Sequence, residues 1–284
     1  MNQFDRAVFD RAVIVGVGLL GGSIGMALRT RRIANQVIGF SPRGKSLENA
    51  IARGAIDTAA NSIAEACRGA DLAIICTPVQ SVVDYAQQCF AAMPSGLITD
   101  VGSTKQTIVT AVANSPLAAS FIGSHPLAGS EKSGVEYARE NLLDRKLVVV
   151  TPNSTSDTAR IQATEKLWQS LGARTLRMSP EEHDAAVART SHLPHILASA
   201  LAAATPTEVL PLAASGWCDT TRVASGGPEL WRQILEENRQ PIVAALEDFI
   251  GDLQHWLAAL NDGDGIQLEK LLLEGKQKRD ALGN

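Results

Sequence analysis

Through the first 179 residues, short apolar runs alternate with longer stretches whose apolar positions recur at helical spacing. The runs fall at 12–17, 37–40, 72–77, 97–101, 121–123, 147–151 and 173–178, and several are rich in β-branched residues. Nearly continuous apolar runs of that length suit strands buried on both faces of a sheet. Helical candidates lie between them at 23–32, 46–53, 82–92, 105–112 and 158–171. Strand, helix, strand repeated this way predicts an α/β fold, a doubly wound and mostly parallel sheet.

Beyond residue 179 the pattern changes. No strand is expected; instead Ala/Leu-rich helical windows occupy 181–189, 195–204, 230–260 and 265–281, with a loop at 261–265. Pro180 followed by Glu181 and Glu182 makes a helix start, since proline tolerates the first turn and acids suit the N-terminal dipole. The boundary is therefore placed at 179, with residues 180–284 forming an all-helical domain. Helices this apolar in so small a domain leave surface to cover, which points to a subunit interface.

Composition narrows the function classes. The 284 residues carry a net charge of -4, so no basic field invites nucleic acid or an anionic membrane. Apolar stretches fall short of the ~20 residues a membrane helix needs. The polar start, with Asp5 and Asp10, does not read as a signal peptide. Cys67, Cys76, Cys89 and Cys218 show no C-x-x-C spacing and read as reduced, packed thiols of a cytoplasmic protein.

Gly16-Val17-Gly18-Leu19-Leu20-Gly21 closes the first apolar run and opens the first helix. A G-x-G-x-x-G turn in that setting binds a dinucleotide. The first glycine makes the tight turn, the second admits the pyrophosphate to the backbone, and the third lets helix and strand pack. The domain is thus expected to be of Rossmann type, with Gly16, Gly18, Leu19, Leu20 and Gly21 at the phosphates and Thr77 and Pro78, ending the third run, on the same cofactor. The second run ends in Phe40-Ser41-Pro42-Arg43, without the acid that would take a ribose 2′-hydroxyl. Ser41 would tolerate a 2′-phosphate and Arg43 could pair with it, which leans toward NADP over NAD; the alternative for Arg43 is a solvated loop charge.

Five histidines are available for chemistry. His125 stands apart, on an expected loop at a strand end facing the cofactor crevice. Asp100-Val101-Gly102-Ser103-Thr104-Lys105 brings a hydroxyl to the same rim. His183, Asp184, His192 and His195 come from the first helices of the second domain, and Arg222 and Trp231 lie further along. His192 and His195 lack an H-E-x-x-H pattern and Pro194 lies between them, so no metal site is expected. Each has a plainer reading: packed histidines, a surface arginine, a core tryptophan.

Taken in order, the glycine turn, the Asp100-to-Lys105 segment, Ser124-His125-Pro126-Leu127-Ala128-Gly129-Ser130-Glu131-Lys132-Ser133-Gly134, Ser191-His192-Leu193-Pro194-His195 and the stretch from Asp219 to Trp231 resemble the prephenate/arogenate dehydrogenases of tyrosine biosynthesis. The resemblance covers nearly the whole chain, and the H-P-x-A-G-x-E-x-S-G segment is its most specific part. It implies oxidative decarboxylation of a small cyclohexadienol and a helical domain that forms a homodimer. His125 would be the proton acceptor at the 4-hydroxyl, with Ser103 holding that hydroxyl or the imidazole in line. Arg222 would bind a substrate carboxylate, and His195, Ser130 and Glu131 would also contact substrate. Ser130 is not acidic, which leans toward prephenate over the ammonium-bearing arogenate. The resemblance leaves no room for a fused mutase segment or a regulatory extension. His125 and Arg222 are expected to face each other across the dinucleotide cleft.

Two rivals remain at this point. A β-hydroxyacid-type dehydrogenase would need a catalytic lysine on a second-domain helix, yet the lysines beyond Lys166 are Lys270, Lys276 and Lys278, near the C-terminus. A non-enzymatic dinucleotide sensor would need the glycine turn but not His125 with Arg222.

Overall fold

The computed structural model describes residues 9–42, 47–128, 132 and 134–283. Strands β1 (Phe9–Val15), β2 (Ala34–Phe40), β3 (Thr58–Ala59), β4 (Leu72–Ile75), β5 (Leu97–Asp100), β6 (Phe121–Pro126), β7 (Leu147–Thr151) and β8 (Arg174–Arg177) form one sheet. Their order is β3-β2-β1-β4-β5-β6-β7-β8. Helices α1 (Leu19–Thr30), α2 (Leu47–Ala52), α3 (Ile63–Ala66), α4 (Val79–Ala92), α5 (Gln106–Ala113) and α6 (Thr158–Ser170) connect them. Along β1 and β4 successive residues alternate between two apolar cores: Ile14 and Ile74 point into one, Val13, Val15, Ala73 and Ile75 into the other. Both faces are covered, which is why these strands read as unbroken apolar runs.

Strands β3 to β6 pair in parallel, β7 runs antiparallel to β6, and β8 is parallel to β7. The order reverses between β1 and β4, so the crossovers leave in opposite directions and open a crevice at the carboxyl ends of those two strands. Pairing with β7 carries β6 on to Pro126, three residues beyond the expected end. His125 is therefore a strand residue opposite Val149, not a loop residue.

Ser179 closes the sheet half with a capping box: its hydroxyl accepts from the Glu182 N–H while Glu182 accepts from the Ser179 N–H. From there the chain is helical: α7 (Pro180–Val187), a π turn over Ala188–His192, α8 (Leu193–Ala204), α9 (Ser215–Thr221), α10 (Pro228–Glu237), α11 (Arg239–Asp262) and α12 (Gly265–Asp280). Pro194 has no N–H to give the turn before it, and the backbone widens into the π turn there instead of breaking, so α7 and α8 run on without a loop. The single helix expected over 230–260 is divided at Asn238, with Pro241 in the first turn of the second piece. The core of this half is small, built on Ala188, Leu193, Ile242 and Ala245. Ile250, Leu253, Leu257 and Leu260 of α11 are left 47–62% exposed. Among the described residues no helix is long and apolar enough to cross a membrane.

Candidate active site

At the crevice, two of the three turn glycines are demanded by packing. Gly16 sits at φ +95, and a Cβ there would lie 2.6 Å from the Cys76 carbonyl oxygen. A Cβ on Gly21 would strike the Gly16 carbonyl and approach Ile14 Cγ2 to 2.9 Å. Gly18 is different: a Cβ there meets nothing within 4 Å. It lines open space at the start of α1, whose first turn holds no acid and no capping side chain, so the Leu19 and Leu20 N–H groups face that space without intrahelical acceptors. Across the crevice the Thr77 hydroxyl is buried with no hydrogen-bond partner among the described residues, next to Pro78 at the head of α4. An open cradle, an orphaned hydroxyl and a helix N-terminus free of competing acid fit a dinucleotide pyrophosphate. Ser41 directly follows β2. Arg43, the other half of the expected ribose contact, lies outside the described residues.

Two strands further along, the ends of β5 and β6 are locked together from beneath. Asp100 accepts from the Ser124 N–H at 3.0 Å and the Gly102 N–H at 2.8 Å, and it pairs with the ammonium of Lys105. Lys105, fully buried, also donates to the Ser124 carbonyl at 3.0 Å. Burial pushes the Lys105 ammonium below its usual range, against the pull of Asp100. The Ser124 hydroxyl receives the Trp168 indole N–H at 3.0 Å and lies 2.9 Å from the Thr99 hydroxyl. This frame fixes the backbone on which His125 stands.

The helical half completes the site. Asp184 of α7 accepts from the Lys105 N–H at 2.8 Å and the Gln106 N–H at 2.9 Å, placing a carboxylate at the N-terminus of α5. Its Oδ1 also lies 2.7 Å from His183 Nδ1. His183 Nε2 in turn lies 2.8 Å from His125 Nδ1, the two rings close to perpendicular. Enclosure by protein pushes His125 well below its ordinary value of 6.5, and His183, Lys105 and His192 oppose any added positive charge. The imidazole is thus neutral at physiological pH. A second group adjoins: Asn238 donates to the Asp184 carbonyl at 2.8 Å and to His192 Nδ1 at 3.0 Å. His195 stacks on Trp231 with centroids 3.5 Å apart, and its Nδ1 is buried without a partner among the described residues. Gly226 leaves room for that stack, since a Cβ would come within 2.5 Å of the indole nitrogen.

His125 of the sheet and His183 of the helical half therefore meet. Among the described residues Ser103 makes no hydrogen bond to His125, whose Nδ1 faces His183 because the extended β6 aims the ring at α7. Ser103 remains half-buried on the same rim, in the loop before α5. Arg222 is exposed on the single turn after α9 and makes no hydrogen bond or ion pair among the described residues, so nothing joins it to the His125 group within this chain. Ser130 and Glu131 lie outside the described residues. Lys270, Lys276 and Lys278 are all exposed on α12, away from any buried site.

A glycine turn open to a pyrophosphate at the switch point, with His125 at the carboxyl end of another strand of the same sheet, fits the NAD-dependent oxidoreductases. The family follows from sequence comparison: the chain belongs to the prephenate dehydrogenase family. Residues 24–177 match the family's nucleotide-binding domain, and residues 179–274 match its dimerization domain. Prephenate dehydrogenase of Bacillus subtilis (strain 168) is 34% identical, over 99% of this chain and 77% of its own length. The crystal structure of prephenate dehydrogenase from A. aeolicus, in complex with hydroxyphenyl propionate and NAD+, superposes with TM-score 0.88 at 33% identity, covering 96% of this chain and 98% of that one. Synechocystis arogenate dehydrogenase superposes with TM-score 0.83 at 30% identity, covering 96% of this chain and 99% of that one.

Sequence reasoning passed over Lys105, Asp100, Ser124 and Asn238 as structural members of the site. A signal existed for the first two: a lysine and an aspartate flanking a strand-to-helix turn in apolar surroundings can be buried only as a pair. Ser124 and Asn238 offered none, since an isolated small polar residue reads the same on a surface.

Proposed function

We propose that this protein oxidatively decarboxylates prephenate to 4-hydroxyphenylpyruvate, with residues 1–179 binding the dinucleotide and residues 180–284 binding substrate and forming a homodimer. The observation that carries this reading is His125: a neutral base at the carboxyl edge of a dinucleotide-binding sheet, oriented by the helical half. The cofactor would rest on Gly16, Gly18, Leu19, Leu20 and Gly21, with Thr77, Pro78 and Ser41 alongside and Arg43 toward the ribose. When bound, it supplies a hydride acceptor. His125 takes the proton of the 4-hydroxyl as C4 is oxidised. Departure of the ring carboxylate as CO2 returns its bonding pair to the ring, which becomes aromatic, and the proton goes back to the phenolic oxygen. Aromatisation drives the step, so the chain's work is positioning and one proton acceptor.

Ser103 would hold the same hydroxyl. His195, whose Nδ1 lacks a partner among the described residues, would donate to or accept from the substrate, as would Ser130 and Glu131. Arg222, exposed and unpaired among the described residues, suits a substrate carboxylate through its planar fork. Arg222→Gln is expected to raise KM for prephenate with little change in kcat; an unchanged KM would remove it from the site. Ser41 in place of an acid supports use of NADP as well as NAD. Thiols with no disulfide among the described residues agree with a cytoplasmic protein.

The likeness to an arogenate dehydrogenase favours a second reading, in which the side-chain ammonium of arogenate meets Glu131. Assays pairing prephenate or arogenate with NAD or NADP, followed by nicotinamide absorbance, decide both substrate and cofactor. Reduction with neither substrate would discard the proposal.

A further inference from the structure

The contacts around Asp184 determine where the hydrogens of the paired histidines sit. Asp184 already receives two backbone N–H groups, from Lys105 and Gln106, one on each oxygen. Facing His183 Nδ1 at 2.7 Å, its Oδ1 has only acceptance to offer, so the His183 hydrogen lies on Nδ1. With its one ring hydrogen on Nδ1, His183 has Nε2 left as an acceptor. The partner atom 2.8 Å away, His125 Nδ1, must then be the donor. His125 Nε2 makes no hydrogen bond among the described residues, and in the neutral ring it is the nitrogen that keeps its lone pair. Each link follows from the one before, and the chain is anchored at the N-terminus of α5.

We propose that His183, backed by Asp184, is a positioning residue: it accepts the Nδ1 hydrogen of His125 and so turns a bare Nε2 toward the substrate hydroxyl. This rests on the reading of His125 as the base. When Nε2 takes the substrate proton, the bond from O4 to hydrogen breaks and the bond to Nε2 forms. The charge gained stays on the His125 ring, whose Nδ1–H already points through His183 toward a carboxylate. The helical half therefore sets the tautomer of a base carried by the sheet half. Loss of that docking would leave the ring free to turn its protonated nitrogen outward, where it cannot act.

Two measurements test this. In protein labelled with ¹⁵N-histidine, the His125 resonances (assigned by their loss in His125→Asn) are expected to show a protonated Nδ1 and an unprotonated Nε2 at neutral pH. The opposite tautomer overturns the proposal, with no appeal to activity. In steady-state kinetics, His183→Leu is expected to lower kcat about 10²-fold with KM little changed, the scale of a misplaced catalytic group. His183→Gln, whose side-chain oxygen can accept from Nδ1, is expected to restore most of the rate. A His183→Leu enzyme as fast as the parent, or a Gln variant as slow as the Leu variant, overturns it too. A parent protein inactive on prephenate and arogenate would remove the assigned reaction instead, while the tautomer measurement would still decide the arrangement of the two rings.

Discussion

In the proposed reaction the chemistry turns on the charge of one imidazole. His125 would take the substrate proton, and its surroundings favour the neutral ring: burial disfavours its cation, and the nearby Lys105, His183 and His192 add to that. Because the base form is the active one, lowering its pKa widens the working range toward acid. The acid limb of kcat/KM is expected to fall below 6.5, with activity retained as pH drops through that value and lost only at lower pH. A limb at or above 6.5 would mean the ring is solvated in the free enzyme. His125→Asn is expected to lower kcat by about 10²–10⁴-fold; near-normal turnover would remove it from the mechanism. The identity of this residue could be read from the sequence. Its partner could not: His183 lies 58 positions away, on an element whose docking no local pattern encodes.

At the scale of elements, the glycine turn separates packing from binding. Gly21→Ala drives a Cβ into the Gly16 carbonyl, and a loss of about 1–3 kcal/mol is expected in chemical denaturation, as for other overpacked sites. Gly18→Ala meets open space, so stability should hold while KM for the dinucleotide rises. Equal effects from the two would mean the turn is structural only. The clamp between β5 and α5 offers a sharper test. Lys105→Met leaves Asp100 buried without its cation, a change that typically costs about 3–5 kcal/mol, and replacing Asp100 by Asn in the same chain should recover part of it. A loss under ~1 kcal/mol in the single variant would show that the backbone donors alone satisfy Asp100. Strands and their crossovers were legible because parallel strands buried on both faces leave a distinctive pattern. The antiparallel step at β7 fits its connection: among the described residues between β6 and β7 no α-helix occurs, and a parallel return normally needs a long crossover. Pro241 likewise marked the break at Asn238, within a window whose apolar spacing continues across it.

The whole molecule carries an unfinished surface. Ile250, Leu253, Leu257 and Leu260 recur at spacings of three and four along α11 and line one exposed face, while the helical core beneath is small. Exposed apolar stripes of this kind normally meet a partner. A homodimer through this half should therefore be split by Leu253→Glu combined with Leu257→Glu, giving a monomer in sedimentation and lower activity, with the sheet half still folded. A dimer that persists would place the contact elsewhere. Arg222 belongs to the same scale, since its turn packs against α8 but leaves the guanidinium exposed.

Periodicity and the glycine motif determined the doubly wound sheet, the helical second half and the dinucleotide turn, and the end of an apolar run singled out His125, because each is written in residues close together along the chain. Tertiary structure decided the rest. The extension of β6, the burial of Lys105 with Asp100 and the line from Asp184 through His183 to His125 join residues far apart in sequence. Their energies come from exclusion of water and from hydrogen-bond geometry that exists only once sheet and helices are packed together.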